Sequence, residues 1–492
     1  MDKGVEERHK LKLVSLFSGC GGLDLGFDMF SRYDIKFASD VKADAAMTYA
    51  QNFKSRTVRS LAEPNSNGPL FFLGDIRQMD YTALKSLFPE PDIVAGGPPC
   101  QDFSIARGSD RAKAGMKTER GRLYAYFVKA LIYLKPKYFV FENVPGLVSD
   151  NSGKTWDIIR EDFQNLSIHV QDIERIAGDG LDGFNPGYVL AYAGVVDASA
   201  VGVPQKRHRL VVIGVRNDLV EKASGGLCSK MVTNIQELCR KKLEGDGSLL
   251  GKYPMTTIEA FEGYPLDQVQ QKYGEIMDEW LMNKANKKVS ALEKWAQKHE
   301  KESPKSIIES YIKVNGLNLN SQEKSYIMKQ HEIVLMQLGY YGRKVCAGNF
   351  ADGSCDRFNE RENVIERMFY TPPGENYKFL YPYRQFRVEG KGISMIYKRI
   401  HPLKPAYTIT ANGGGGTHGY HYDRTMSRLT LREIARLQSF PDSFMFKGTK
   451  AEVNRQIGEA VPPLLGMRIA EAIWEIDQMI HKQLKSIRAE HA

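Results

Sequence analysis

The stretch LKLVSLFSGCGGLDLGFDMF, residues 11–30, changes its hydrophobic period partway along, and no other feature constrains the fold as much. Residues 13–17 (LVSLF), apolar but for Ser15, read as a buried strand, residues 18–22 are a tight turn bearing glycines, and helical spacing takes over from Leu23. A strand feeding a helix through a glycine turn opens a doubly wound α/β sheet, whose ligands sit at the C-terminal edge of the strands. Glycines let a ligand approach the backbone, and the helix N-terminus favours a carboxylate or phosphate. The same turn also serves plain packing of helix on sheet, so alone it decides nothing.

The next strand ends add to it. IKFASD places Asp40 at the end of a second strand, where an acid commonly takes a ribose hydroxyl pair, and FFLGDI presents Asp75 at a third. Together they describe a nucleoside-type pocket, although each Asp taken singly is more often a helix cap or turn residue. DIVA, residues 92–95, is a further short strand, and GGPPCQDFS stops it because neither proline donates a backbone hydrogen bond. Cys100 is thereby held on a stiff loop at the same edge, as a reactive thiol or as a buried structural one. A helix follows, with Leu123, Phe127, Leu131 and Leu134 near helical spacing until Pro136. KYFVFENVPG then ends a strand at Glu142, one right-handed crossover from Cys100, so the two can share a pocket. In VPQKRHRLVVIGVR, Gln205, Arg207 and Arg209 alternate, which turns both arginines to one face of a strand. A solvated basic edge has the same pattern.

With 492 residues, 42% of them hydrophobic, the chain can bury at least one large core and has the length of two or more domains. Its formal charge of +9 suits a polyanion such as nucleic acid. Cys20, Cys100, Cys228, Cys239, Cys346 and Cys355 are scattered without a zinc-type spacing, which suggests reduced thiols, an intracellular protein and no metal. MDKGVEERHK has no apolar signal core and no run of about 18 apolar residues exists, so a soluble cytoplasmic protein is expected.

Taken in order, LFSGCGG, GDI, GGPPCQDFS, FENVPG, VPQKRHR, RLTLREIARLQSFPDSF and QIGEAVPP resemble the motifs of the DNA (cytosine-5) methyltransferases. The resemblance covers residues 11–216 and about 400–475. A dinucleotide-dependent dehydrogenase fits worse, since the first turn lacks GxGxxG and such an enzyme leaves Cys100 and Glu142 without a role.

The resemblance implies an α/β, Rossmann-like class I S-adenosylmethionine-dependent methyltransferase domain with a smaller, variable target-recognition domain. By it Cys100 is the nucleophile that adds to C6 of a flipped-out cytosine, Glu142 holds N3 and the exocyclic amine, and Arg207 and Arg209 steady the nucleotide. S-adenosyl-L-methionine is the implied cofactor. Phe17, Ser18, Gly19, Cys20, Gly21 and Gly22 would line its methionine end, Asp40 its ribose and Asp75 its adenine amine, with Ile76, Pro98, Glu459 and Val461 completing the pocket. Val41 stands where some relatives place a larger group against the adenine, and Glu459 replaces a frequent asparagine. Ser104, Gln205, Thr408, Thr410 and His418 are the implied DNA contacts. The loop 101–121 would close over DNA, and the glycines at 413–416 would let the backbone approach it.

Domain boundaries follow: 1–216 as the first part of the catalytic domain, 217–454 as the recognition domain with a charged helical insertion at about 265–340, and 455–492 as a helix returning to the catalytic domain. The implied partner is double-stranded DNA, for a monomer associated with the nucleoid that is either the modification part of a restriction-modification system, with a cognate restriction endonuclease as a second partner, or an orphan methyltransferase. A tRNA cytosine-5 methyltransferase and a catalytically silent DNA-binding regulator are the competing readings. Intact Cys100, Glu142 and Arg209 speak against the regulator, and the long variable region against the tRNA enzyme.

Overall fold

The structure, a computed structural model, describes residues 10–62, 68–99, 122–166, 187–245, 249–281, 289–302, 306–348, 350–387, 397–411, 419–423 and 428–490. The chain divides into two compact units, Met1–Asp197 with His208–Asp246 and Pro463–Ala492, and Ala198–Arg207 with Gly247–Pro462. Residues 217–246, expected with the recognition domain, stand in the first unit, and 455–462 stand in the second.

The first unit is built on an eight-stranded sheet of β1 (Leu11–Leu16), β2 (Tyr33–Asp40), β3 (Arg56–Val58), β4 (Leu70–Leu73), β5 (Ile93–Gly96), β6 (Tyr138–Asn143), β7 (Tyr188–Asp197) and β8 (His208–Arg216), in the order β3-β4-β2-β1-β5-β6-β8-β7. β8 runs antiparallel to β6 and β7, while the pairings from β3 to β6 are parallel. β5 and β6 are buried along their whole length, which is why IVAG and YFVFEN show no alternation. The strand order reverses at β1, so the ends of β1, β2, β4, β5 and β6 share the edge at which open α/β sheets bind ligands.

The helix Pro463–Glu490 returns to this unit and packs on the helix Gly22–Phe30. Two glycines make the approach possible: a Cβ on Gly26 would lie 2.4 Å from the Gly466 carbonyl carbon, and one on Gly466 would lie 2.7 Å from the Leu23 oxygen. Tyr138 fastens the helix from below, its hydroxyl donating to Asp477 Oδ1 at 2.9 Å. The helix Cys228–Leu243 joins from the side, with Lys242 Nζ 2.7 Å from both Glu471 and Glu475.

In the second unit the charged segment expected to be helical forms Gln270–Leu281, Ser290–Glu302, Ile307–Asn315 and Ser321–Gln337. Fully buried arginines tie its irregular chain together. Arg399 donates to the carbonyls of Thr371 at 2.7 Å and Met368 at 2.5 Å, and to those of His421 and Asp423, with its guanidinium over the Trp280 ring. Arg432 pairs with Asp352 at 2.7 Å, and Arg436 bonds Asp442 and the Ala260 and Arg343 carbonyls. A guanidinium offers five donors, so it can satisfy loop carbonyls that have no sheet ladder to join.

The expectation that every cysteine is reduced needs correction. Cys346 and Cys355, nine residues apart with Cα atoms 5.5 Å from each other, form a disulfide. Wide sequence scatter says nothing against a pair that one turn brings together. Among the described residues no helix is long and apolar enough to cross a membrane.

Candidate active site

The turn after β1 adopts left-handed backbone at Phe17 (φ 55°), Gly19 (φ 55°) and Gly21 (φ 91°). Gly21 is obligatory for a second reason, because a Cβ there would meet the Phe53 and Tyr49 rings at 2.5 and 2.9 Å. Beside Gly19, by contrast, a Cβ would meet nothing within 4 Å, so the backbone there borders open space. Cys20 is buried, and Gly22 starts the helix. Asp40 ties this turn to the end of β2. Its Oδ2 accepts from the Gly19 N–H and its Oδ1 from the Lys42 N–H, each at 2.9 Å, while the Ser18 N–H bonds the Ser39 carbonyl.

Beneath the turn lies an acid that the sequence did not single out. Asp24 is fully buried and accepts from the Ser15 hydroxyl at 2.6 Å and the Tyr49 hydroxyl at 2.8 Å. Burial pushes its carboxyl, ordinarily near 3.8, up to about 6, against the pull of both hydrogen bonds. At the third strand end Asp75 caps the turn Ile76–Gln78 and takes the Arg77 guanidinium chiefly on Oδ2, at 2.9 Å from Nε and 2.5 Å from Nη2, with Nε also 3.0 Å from Oδ1. The Arg77 hydrogen bonds hold its carboxyl below the ordinary range. Ile76 is buried in the core against which Phe17 packs.

The ends of β5 and β6 meet more tightly. Glu142 is nearly buried and Arg209 Nε lies 3.0 Å from its Oε1, so the carboxylate arrives with a fixed cationic partner. Gly97 passes directly across Glu142: a Cβ would lie 2.8 Å from Oε2 and 3.2 Å from the Glu142 carbonyl oxygen. Asn143 Nδ2 then donates to the Pro98 carbonyl at 3.0 Å, and its Oδ1 accepts from the Val144 N–H at 2.8 Å. Pro98 is buried and Pro99 exposed. Asn143 and Gly97 were not assigned roles from sequence, although both sit inside the quoted motifs. Cys100, Ser104, His418, the loop 101–121 and the glycines 413–416 lie outside the described residues.

In the second unit Gln205 and Arg207 are both completely buried. Arg207, expected to steady a nucleotide, donates to the carbonyls of Ile409, Gly458 and Ala460 at 2.8, 2.7 and 3.0 Å. The period-two alternation that grouped it with Arg209 does not reach it, because β8 begins only at His208. Thr408 donates its hydroxyl to the Lys206 carbonyl at 2.7 Å, and Thr410 is exposed. Glu459 ends the helix Lys450–Glu459 in an exposed position, and Val461 is nearly buried.

Against known proteins, residues 11–475 match the family model of the C-5 cytosine-specific DNA methylases. The chain is 46% identical over 467 residues to the DNA (cytosine-5-)-methyltransferase M.ApeKI of Aeropyrum pernix, covering 94% of this chain and 98% of that one. It is 28% identical to the type II methyltransferase M.NgoFVII of Neisseria gonorrhoeae, over 95% of this chain and 87% of the relative. Among solved structures, a prophage-encoded E. coli protein described as a DNA modification methyltransferase superposes with a TM-score of 0.52 at 23% identity, over 95% of this chain and 100% of the other. That likeness bears on the fold, which is that of the class I methyltransferases.

Proposed function

The chain belongs to the C-5 cytosine-specific DNA methylase family and is a DNA (cytosine-5-)-methyltransferase, and from that premise we propose that it works through a covalent Cys100 adduct. The observation that carries the reading is the Glu142–Arg209 pair, 3.0 Å apart, at the strand end beside the Gly97–Pro98 backbone, with Cys100 two residues further along the chain.

Cytosine C5 is too weak a nucleophile to take a methyl group unaided. In the proposed course the Cys100 thiolate adds to C6, forming the S–C bond while the C5–C6 double bond's electrons shift towards C5. One Glu142 oxygen accepts from the exocyclic amine, and the other donates a proton to N3 where negative charge develops and takes it back when Cys100 leaves. Arg209 keeps the Glu142 carboxylate oriented through its Nε. S-adenosyl-L-methionine supplies an electrophilic methyl group for C5 when bound. A water molecule then takes the C5 proton, which restores the C5–C6 double bond, breaks the C6–S bond and releases Cys100 as its thiolate.

The residues present suit such a cofactor. Left-handed Phe17, Gly19 and Gly21 leave open space against the backbone at Gly19, and Asp40 and Asp75 stand at the two neighbouring strand ends. We assign the methionine end to the 17–22 turn, the ribose to Asp40 and the adenine to Asp75 and Ile76, with Pro98 as a further contact. The substrate cytosine must leave the duplex, since C5 and C6 are stacked within it. Base reading is assigned to the variable part of the second unit, and the naming of relatives as type II methyltransferases supports a role as the modification half of a restriction-modification system. The test is transfer of labelled methyl from S-adenosyl-L-methionine to duplex DNA, followed by bisulfite sequencing. Label confined to cytosines in one short sequence supports the reading; label on adenine, or none, rejects it.

A further inference from the structure

Ile409 is held at both of its backbone polar groups by two side chains that come from one short segment. Its N–H donates to Gln205 Oε1 and its carbonyl accepts from Arg207 Nη1, each at 2.8 Å. The other ends of the same side chains are also spent on backbone or buried amide groups. Gln205 Nε2 donates to the Leu437 carbonyl at 3.1 Å and to Gln438 Oε1 at 2.6 Å, and Arg207 Nη2 donates to the Gly458 and Ala460 carbonyls. Gln438 Nε2 closes the ring on the Ala460 carbonyl at 2.7 Å. Gly458 permits this closeness, since a Cβ there would lie 2.4 Å from the Thr410 carbonyl carbon.

The clamped stretch alternates as an extended chain does, with Ile409 buried and Thr410 exposed. Whatever fixes Ile409 therefore fixes which way Thr410 points. A completely buried guanidinium engaged on three carbonyls cannot reach a phosphate or a base without breaking those bonds.

We propose that Gln205 and Arg207 are positioning residues that touch neither DNA nor cofactor and clamp Ile409 so that Thr410 is presented to the DNA backbone. This rests on the reading above that the chain methylates duplex DNA.

The charge and the fork of Arg207 make separable predictions. Arg207→Lys keeps the charge but cannot span several carbonyls, whereas Arg207→Met removes both. The clamp requires both variants to raise the KM for duplex DNA by roughly tenfold, with kcat within about twofold of wild type. It also requires that the dependence of DNA affinity on salt keep its slope, because no phosphate contact is lost. Gln205→Ala should give the same change, and the double variant Gln205→Ala/Arg207→Met little more, since both act on Ile409. Wild-type KM in Arg207→Lys together with a slope flattened by about one contact in Arg207→Met overturns the clamp in favour of a direct phosphate contact. Unchanged KM in Gln205→Ala overturns it too, and that milder variant decides the matter if the arginine variants do not fold. A wild-type protein that methylates no DNA retires the proposed function itself, before any variant is compared.

Discussion

Asn143 Nδ2 lies 3.0 Å from the carbonyl oxygen of Pro98, so one amide ties the end of β6 to the loop that leaves β5. Its other end is closed on its own chain by the Val144 N–H. The strand that carries Glu142 and the loop that leads to Cys100 are thus fastened to each other rather than held by the sheet alone.

Asn143→Ala removes that tie while leaving the cofactor turn untouched. Loss of one buried hydrogen bond, about 1 kcal/mol, slows methyl transfer roughly fivefold to tenfold, with the affinity for S-adenosyl-L-homocysteine unchanged. Single-turnover rates and calorimetry check this. An unaltered rate would leave Asn143 a structural residue only.

Gly97→Ala is expected to be more damaging. The new Cβ would stand 2.8 Å from Glu142 Oε2, and the carboxylate cannot retreat without leaving Arg209 Nε at 3.0 Å. A loss on the order of hundredfold in single-turnover rate follows from displacing a positioned catalytic group. DNA affinity measured separately stays within about twofold, and a collapse of both would point to misfolding.

Asp24 sets a pH dependence of stability. Its folded pKa is raised to about 6 by burial from an ordinary 3.8, so its contribution is complete below pH 3.8 and is lost as pH rises through about 6. Asp24→Asn, neutral throughout, raises the melting temperature over wild type at about pH 8, by a margin worth roughly 3 kcal/mol at most, and the margin vanishes towards about pH 4. Melts across that range read it directly. A margin independent of pH would mean that Asp24 is not the titrating group.

The loop closed by Cys346 and Cys355 also carries Asp352, the partner of fully buried Arg432. Cys355→Ser, or reductant, therefore costs the second unit roughly 2 to 3 kcal/mol for a loop of this length. Asp352→Ala costs roughly 3 to 5 kcal/mol, because it leaves a buried charge uncompensated. Denaturant titration with and without reductant separates the two. Identical midpoints in both conditions would show that the disulfide stabilises nothing.

The α/β sheet and its edge were legible because short apolar runs bounded by turn residues, such as YFVFEN, read as strands buried on both faces, and because each ends on a residue of distinct chemistry. Asp40 and Glu142 stand where the runs end. The setting of Arg207 was not legible, because β8 begins only at His208 and its partners, Ile409 and Gly458, are some two hundred residues away. Asp24 and the Cys346–Cys355 bond were hidden for the same reason: burial and pairing are tertiary facts that no local period reports. The second unit has no sheet in its described residues and is held by arginines on loop carbonyls, which leave no pattern in sequence.

The central claim is covalent catalysis by Cys100, and the most direct measurement is a trapping experiment. A duplex carrying 5-fluorocytosine at the methylated position cannot release the enzyme, because fluorine does not leave as the C5 proton does. With S-adenosyl-L-methionine present, the protein should form an adduct that survives denaturing electrophoresis, and mass spectrometry should place the nucleotide on the peptide containing Cys100. Cys100→Ser should form none while still binding the duplex. Methyl transfer to ordinary DNA with no adduct on the fluorinated duplex, or an adduct on another residue, would contradict the account.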